Sequence, residues 1–342
     1  MADKPKLALY WASSCGGCEI SVIGVHEAIL DVAAAFDIVF WPCVMDFKES
    51  DVAAMEDGEI DVCLFNGAIR NDHNEHMAHV MRKKSKVLVA YGSCASEGCM
   101  PGLANFNDRE QMFQYIYQDS PSTANPNKVR PQLETEVPEG TLTLPNFWNT
   151  VKTLDQVVPV DYYLPGCPPE SKWTLAAVEA ILMNQLPAPG SVIGLDVAVC
   201  DECNRKRDEK KIKRFYRPQE IVPDPEICLL EQGLFCAGIA TRAGCGALCP
   251  DVNMGCRGCY GVMDGVEDMG ARLISAIGSV IDAEDPEEID AILDTLPDPA
   301  GYFYRFSLAS SMLRRVRLTR QNGHRIAEPI TEMPRLDPEL AD

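Results

Sequence analysis

Twelve of the fifteen cysteines fall into three groups of four, and this grouping constrains the chain more than any other feature. The first group is Cys15 and Cys18, with Cys94 and Cys167. The second is Cys200, Cys203, Cys228 and Cys236. The third is Cys245, Cys249, Cys256 and Cys259. A cubane iron–sulfur cluster needs four thiolates, so three such clusters are expected. Spacing alone leaves open how Cys236 and Cys245 divide between neighbouring groups. It also leaves open a pair of zinc ribbons in the later groups, because CxxC pairs suit tetrahedral zinc. For the first group the plainer alternative is a CxxC redox motif beside two buried cysteines.

The compartment decides between metal binding and disulfides. The opening MADKPKLALYWASS has no charged-then-apolar signal segment and no twin arginine. No run approaches the roughly 18 apolar residues of a membrane span. A cytoplasmic location is therefore expected, where thiols stay reduced and abundant cysteine reads as metal binding. The formal net charge of −20 argues against nucleic acid, whose phosphates would be repelled. With 342 residues, 46% of them apolar, two domains with a real core are expected.

The first half alternates strand-like and helix-like patterns. Lys6–Trp11 is an apolar run ending in Ser-Ser-Cys-Gly-Gly, and helical spacing follows over 19–35. Strands are expected at 36–41, Ile60–Asn66, 86–91 and 160–164, with helices at Asp72–Lys84 and 170–185. Alternation of this kind implies a parallel sheet covered on both faces. Cys15, Cys18, Cys94 and Cys167 each follow the C-terminal end of an expected strand. Open α/β sheets bind ligands at that edge, so residues from three loops can converge on one cluster.

Residues 100–158 lose this regularity, and 119–138 reads as an insertion or long loop. After about residue 190 the chain becomes rich in Cys and Gly, with eight cysteines between Cys200 and Cys259. Such a segment would bury little apolar surface, and metal coordination would supply folding free energy. A helix is expected near 282–292. The domains are expected at 1–190 (α/β, flavodoxin-like), 191–320 (loop-rich, iron–sulfur) and 321–342 (polar tail).

Other residues carry weaker signals. Cys63 lies inside an expected strand and reads as a small hydrophobe; Cys43 follows a strand end and is ambiguous. Cys99 lies five residues after Cys94 and could approach the first cluster. His73, His76 and His79 recur every three residues on an expected helix, more like a polar face than a metal site. The basic island 205–217 reads either as a docking surface for an acidic redox partner or as a solvated face paired to nearby acids. No P-loop or dinucleotide-binding glycine fingerprint is present, which argues against direct NAD reduction.

Three motifs in order, SSCGGCE at 13–19, GSCASEGC at 92–99 and PGCPP at 165–169, resemble the small subunit of nickel–iron hydrogenases. CDEC at 200–203, CLLEQGLFC at 228–236 and CRGC at 256–259 extend the match over about residues 5–265. Within that family the chain is most similar to the cytoplasmic methyl-viologen-reducing (F420-non-reducing) type that works with heterodisulfide reductase. The resemblance implies a proximal [4Fe–4S] cluster on Cys15, Cys18, Cys94 and Cys167. It implies a medial one on Cys245, Cys249, Cys256 and Cys259, and a distal one on Cys200, Cys203, Cys228 and Cys236. Cys200 stands where membrane-bound members have histidine, and Cys249 adds a fourth ligand to a cluster that has three there. Oxygen-tolerant members carry two extra cysteines at the proximal cluster; Cys99 matches one, but Gly17 occupies the other place.

What the resemblance implies is an electron relay with no hydrogen chemistry of its own. The nickel–iron centre, with its cyanide and carbonyl ligands, would belong to a partner large subunit. Electrons would leave to an iron–sulfur acceptor subunit and a heterodisulfide reductase-type complex. Glu19 would serve either a proton path near the subunit interface or as an acid complementing a helix N-terminus. Alternatives are an F420-reducing hydrogenase small subunit, a complex I-like subunit passing electrons to quinone, and a non-catalytic sensor. The complex I-like reading would predict an adjacent cysteine pair and membrane contacts, and the sequence displays neither.

Overall fold

The computed structural model describes residues 4–207, 212–321 and 324–329. Its first nine strands are β1 (Lys6–Trp11), β2 (Asp37–Phe40), β3 (Ile60–Asn66), β4 (Ile69–Asn71), β5 (Ser85–Tyr91), β6 (Glu134–Val137), β7 (Gly140–Thr143), β8 (Phe147–Lys152) and β9 (Tyr162–Leu164). Five of them make one parallel sheet in the order β2-β1-β3-β5-β9. The chain is thus α/β, with the flavodoxin-like order in which the first connection runs one way and the rest the other. The crevice between β1 and β3 opens at their C-terminal ends.

Sequence dictates these elements directly. In β3, IDVCLFN is buried along almost its whole length, as a strand covered on both faces requires. Cys63 sits fully buried within it, as a small hydrophobe would. Two apolar layers flank the sheet: Phe40, Phe65, Met77 and Leu88 on one side, Leu9, Phe36, Trp41 and Tyr91 on the other. The helix Asp72–Lys84 starts where the Asn71 side chain accepts from the Asn74 N–H at 2.7 Å. Asp72 and Glu75 stand in its first turn and Arg82, Lys83 and Lys84 in its last, which suits the helix dipole. His76 and His79 are not buried in its core-facing stripe of Asn74, Met77, Ala78 and Met81, and His73 pairs with Glu49 at 2.9 Å.

Two local expectations change. The helical pattern over 19–35 is two helices, Gly17–Ile23 and Ala28–Ala35. The break falls at Gly24–Glu27, where His26 adopts a φ of 57° and a continuous helix is interrupted. Of the expected long loop at 119–138, residues 120–133 hold no helix or strand, but its end enters a hairpin. β6 and β7 form an antiparallel hairpin, and β8 pairs antiparallel with β4 beside the main sheet.

The cysteine-rich region does bury apolar surface, contrary to expectation. Ile212, Phe215, Leu230 and Phe235 pack with Met269, Leu273, Ile277 and Ile292. The helices Met269–Gly278 and Pro286–Leu293 supply what the segment from Cys200 to Cys259 lacks. The chain then returns to the first half. The Cys99 N–H donates to the Phe306 carbonyl at 3.0 Å, and Gln156 Nε2 donates to the Ala309 carbonyl at 2.9 Å. Beyond it, Val316–Gln321 and His324–Pro329 pair as an antiparallel hairpin, and the rest of the expected tail (330–342) lies outside the described residues. Among the described residues no helix is long and apolar enough to cross a membrane.

Candidate functional site

The first group of cysteines gathers at the C-terminal edge of the sheet. Cys15 and Cys18 follow β1 and bracket the start of the helix Gly17–Ile23. Cys94 follows β5 and Cys167 follows β9. Gly92, at the β5 exit, has a φ of 85°, and a Cβ there would stand 2.3 Å from Cys18 Sγ. Only glycine lets these two loops approach so closely. Burial pushes the Cys18 thiol up to about 12, with Cys167, Cys15 and Glu19 adding to it.

Cys99 belongs to the same cluster of thiols, its Sγ lying 3.7 Å from Cys167 Sγ. Contact with Cys99, then burial, raises the Cys167 thiol. Cys43 is exposed, and its thiol is raised by burial and then by Glu19.

Glu19 is buried at 6% exposure in the first turn of its helix. It accepts from Asn66 Nδ2 at 2.8 Å and from Trp41 Nε1. Burial raises its carboxyl, and those two hydrogen bonds oppose the rise.

The second group borders a small pocket lined by Cys200, Cys203, Cys228 and Cys236 together with Arg205 and Arg207. A Cβ on Gly238 would lie 3.4 Å from Cys200 Sγ and 3.6 Å from Cys236 Sγ, in ordinary contact, so this backbone runs directly beside both thiols. Burial pushes the Cys200 thiol up to about 12, with Cys236 and Cys228 adding to it and Arg207 opposing.

The third group adjoins both others. Cys259 feels burial first, then Cys245, Cys167 and Cys249, and its thiol rises to about 12. Cys256 is raised by burial and then by Cys236. The Cys256 N–H donates to Cys236 Sγ at 3.3 Å. Cys236 therefore faces Cys200, Cys203 and Cys228 while touching the edge of the third group, and Cys245 lies with Cys249 and Cys259.

The donor chemistry suits a cluster. Buried thiols with raised pKa values resist becoming thiolates unless positive charge offsets the burial, and bound iron supplies that charge. Among the described residues no three His, Cys, Asp or Glu side chains stand close enough to share one metal ion.

Sequence reasoning missed the residues that hold these loops. Ser93 Oγ accepts from the Gly166 N–H at 3.1 Å and donates to the Cys259 carbonyl. Glu202 accepts from the N–H groups of Gly244 and Gly246 at 2.9 and 3.0 Å, clamping the turn that carries Cys245. Arg205, read as part of a surface island, is buried at 8% exposure. Within the rest of that island Lys206 pairs with Glu226 at 2.7 Å, Lys213 with Asp282 at 3.7 Å and Arg214 with Glu220 at 4.0 Å. Residues 208–211 lie outside the described residues.

Comparison with known proteins gives the family. The chain is 42% identical over 316 residues to the iron–sulfur subunit of the F420-non-reducing hydrogenase of Archaeoglobus profundus, covering 91% of this chain and 98% of that protein. The chain belongs to the family of F420-non-reducing hydrogenase iron–sulfur subunits. The matching vhu subunit of the F420-non-reducing hydrogenase of Methanocaldococcus jannaschii is 39% identical over 310 residues, 91% of this chain and 97% of that one. Residues 15–181 match the family model described as NADH ubiquinone oxidoreductase, 20 Kd subunit. That span begins at Cys15 and takes in Cys94 and Cys167, so the first cysteine group lies wholly within it. A solved chain from an NAD+-reducing [NiFe]-hydrogenase in the H2-reduced state is 27% identical, over 54% of this chain and 94% of that one, with a TM-score of 0.46.

Proposed function

We propose that this chain is the electron-relay subunit of a cytoplasmic [NiFe] hydrogenase and holds three [4Fe–4S] clusters. The proximal cluster would sit on Cys15, Cys18, Cys94 and Cys167. The medial one would sit on Cys245, Cys249, Cys256 and Cys259, and the distal one on Cys200, Cys203, Cys228 and Cys236. The observation that carries this reading is the adjacency of the groups: Cys259 and Cys167 pack against one apolar cluster with Cys94 and Phe306, and the Cys256 N–H donates to Cys236 Sγ at 3.3 Å. Three sites in contact order make a path, whereas three unrelated structural sites need not touch. In this reading 1–190 holds the proximal site and 191–320 the other two.

Bound clusters would accept and pass single electrons. The chain's own part is to fix separation and environment. Burial of the thiols sets a low-dielectric surround, and Ser93 and Glu202 hold the ligand loops in register. Exposed Cys15 marks the face for a large subunit carrying the nickel–iron centre. Electrons would leave from the distal end to an iron–sulfur acceptor subunit and a heterodisulfide reductase-type complex.

The reading is tested on the complex purified anaerobically with its partners. Exposure to H2 should reduce all three cubanes, seen by EPR, and a Cys228→Ser variant should lose one of them and slow acceptor reduction. Full acceptor reduction by a variant lacking that cluster would overturn the relay order.

A further inference from the structure

Among the described residues Arg205 is a buried guanidinium without an acidic partner. Its Nε and one terminal nitrogen donate to the Pro250 carbonyl at 3.0 and 2.8 Å. The other terminal nitrogen donates to the carbonyls of Asp224 and Ile227 at 2.8 and 2.9 Å. Its last bond is to Asn253 Oδ1. Every acceptor is neutral, and among the described residues no carboxylate lies within ion-pair distance of it. Buried arginine is almost always charge-paired, because leaving the charge uncompensated is costly.

Arg205 and Arg207 both line the space enclosed by Cys200, Cys203, Cys228 and Cys236. A four-iron cluster with four thiolates is a dianion when oxidised and a trianion when reduced, counting ferrous and ferric iron against sulfide and thiolate. Fixed positive charge therefore favours the reduced form more than the oxidised form.

We infer that Arg205 and Arg207 are positioning residues for the distal site, raising that cluster's reduction potential so that a relayed electron rests there before leaving. The inference rests on the proposed cluster in this pocket. The step it governs is one electron gained by the cluster, donated by the neighbouring medial site, with no proton or bond exchanged.

The two arginines separate charge from structure. Arg207 is exposed, so Arg207→Gln removes charge without opening the core. Arg205→Lys keeps the charge but loses most of the five hydrogen bonds. The experiment is an EPR-monitored redox titration of the intact complex, with the distal signal identified as the one missing in Cys200→Ser. The expected result is a lower midpoint for that signal alone in R207Q, full iron content, and a near wild-type midpoint in R205K. An unchanged midpoint in R207Q at full iron overturns the inference and leaves the cluster reading standing. An equal fall in R205K also overturns it, since geometry rather than charge would then set the potential. If a Cys200→Ala, Cys228→Ala double variant keeps every cluster signal and all its iron, the pocket holds no cluster and both readings fall.

Discussion

The hydroxyl of Ser93 donates to the carbonyl oxygen of Cys259, joining the loop after β5 to the third cysteine group. The same oxygen accepts from the Gly166 N–H, one residue before Cys167. One buried side chain thus holds together segments from the first and third groups. Ser93→Ala leaves a buried N–H and a carbonyl without this partner, at a cost of about 1–3 kcal/mol. Anaerobic guanidinium unfolding, followed by bleaching of cluster absorbance, should shift by that amount while iron content stays full. An unchanged midpoint would mean the two halves are held elsewhere.

Gly92 tests how tightly the first site is built. A Cβ there meets Cys18 Sγ at 2.3 Å, and the φ of 85° adds backbone strain. Gly92→Ala should cost at least about 2 kcal/mol and selectively weaken the proximal cluster. Iron analysis after anaerobic purification should show the loss of about four irons, the content of one cubane. Retention of all iron would contradict the close packing.

Glu202 clamps a turn through two charged-acceptor hydrogen bonds. Glu202→Ala should cost about 1.5–3 kcal/mol and free the loop that carries Cys245. Iron release to a chelator under anaerobic conditions should accelerate, beginning with one cluster. Unchanged release kinetics would show that Glu202 has no hold on the site.

Glu97 gives the fold a pH dependence. Burial lifts its carboxyl from 4.5 to about 7, against a hydrogen bond from Ser310. Folding thus makes this acid bind protons more tightly. Its contribution is fully present below the unfolded value and is lost as pH rises through about 7. Glu97→Gln keeps an acceptor and removes the ionisation. A gain of about 2 kcal/mol is expected at about pH 8, below the roughly 3 kcal/mol ceiling of the shift because the residue keeps some solvent access. Thermal unfolding at about pH 5 should show a much smaller gain. Equal gains at both values would assign the effect to packing.

Periodicity and turn residues carried the first half of the fold. The run IDVCLFN became β3, and Asn71 began the helix Asp72–Lys84, because both signals are local and agree with burial. The 19–35 pattern misled because a helical period survives a tight turn at Gly24–Glu27 that leaves apolar spacing nearly intact. The cysteine groups were legible because thiols of one site sit at strand exits or in short CxxC spacing. Their supports were not. Ser93 is 166 residues from its partner Cys259, and Glu202 is 42 from Gly244, so no window of sequence holds both ends. Arg205 looked like part of a solvated island because its neighbours are charged, and only the folded chain reveals the carbonyls around it.

The most direct measurement is iron and acid-labile sulfide per copy of this chain in anaerobically purified protein, with irons of partner subunits subtracted. Three four-iron clusters predict about twelve of each. About four irons with zinc making up the remaining sites would contradict the three-cluster relay.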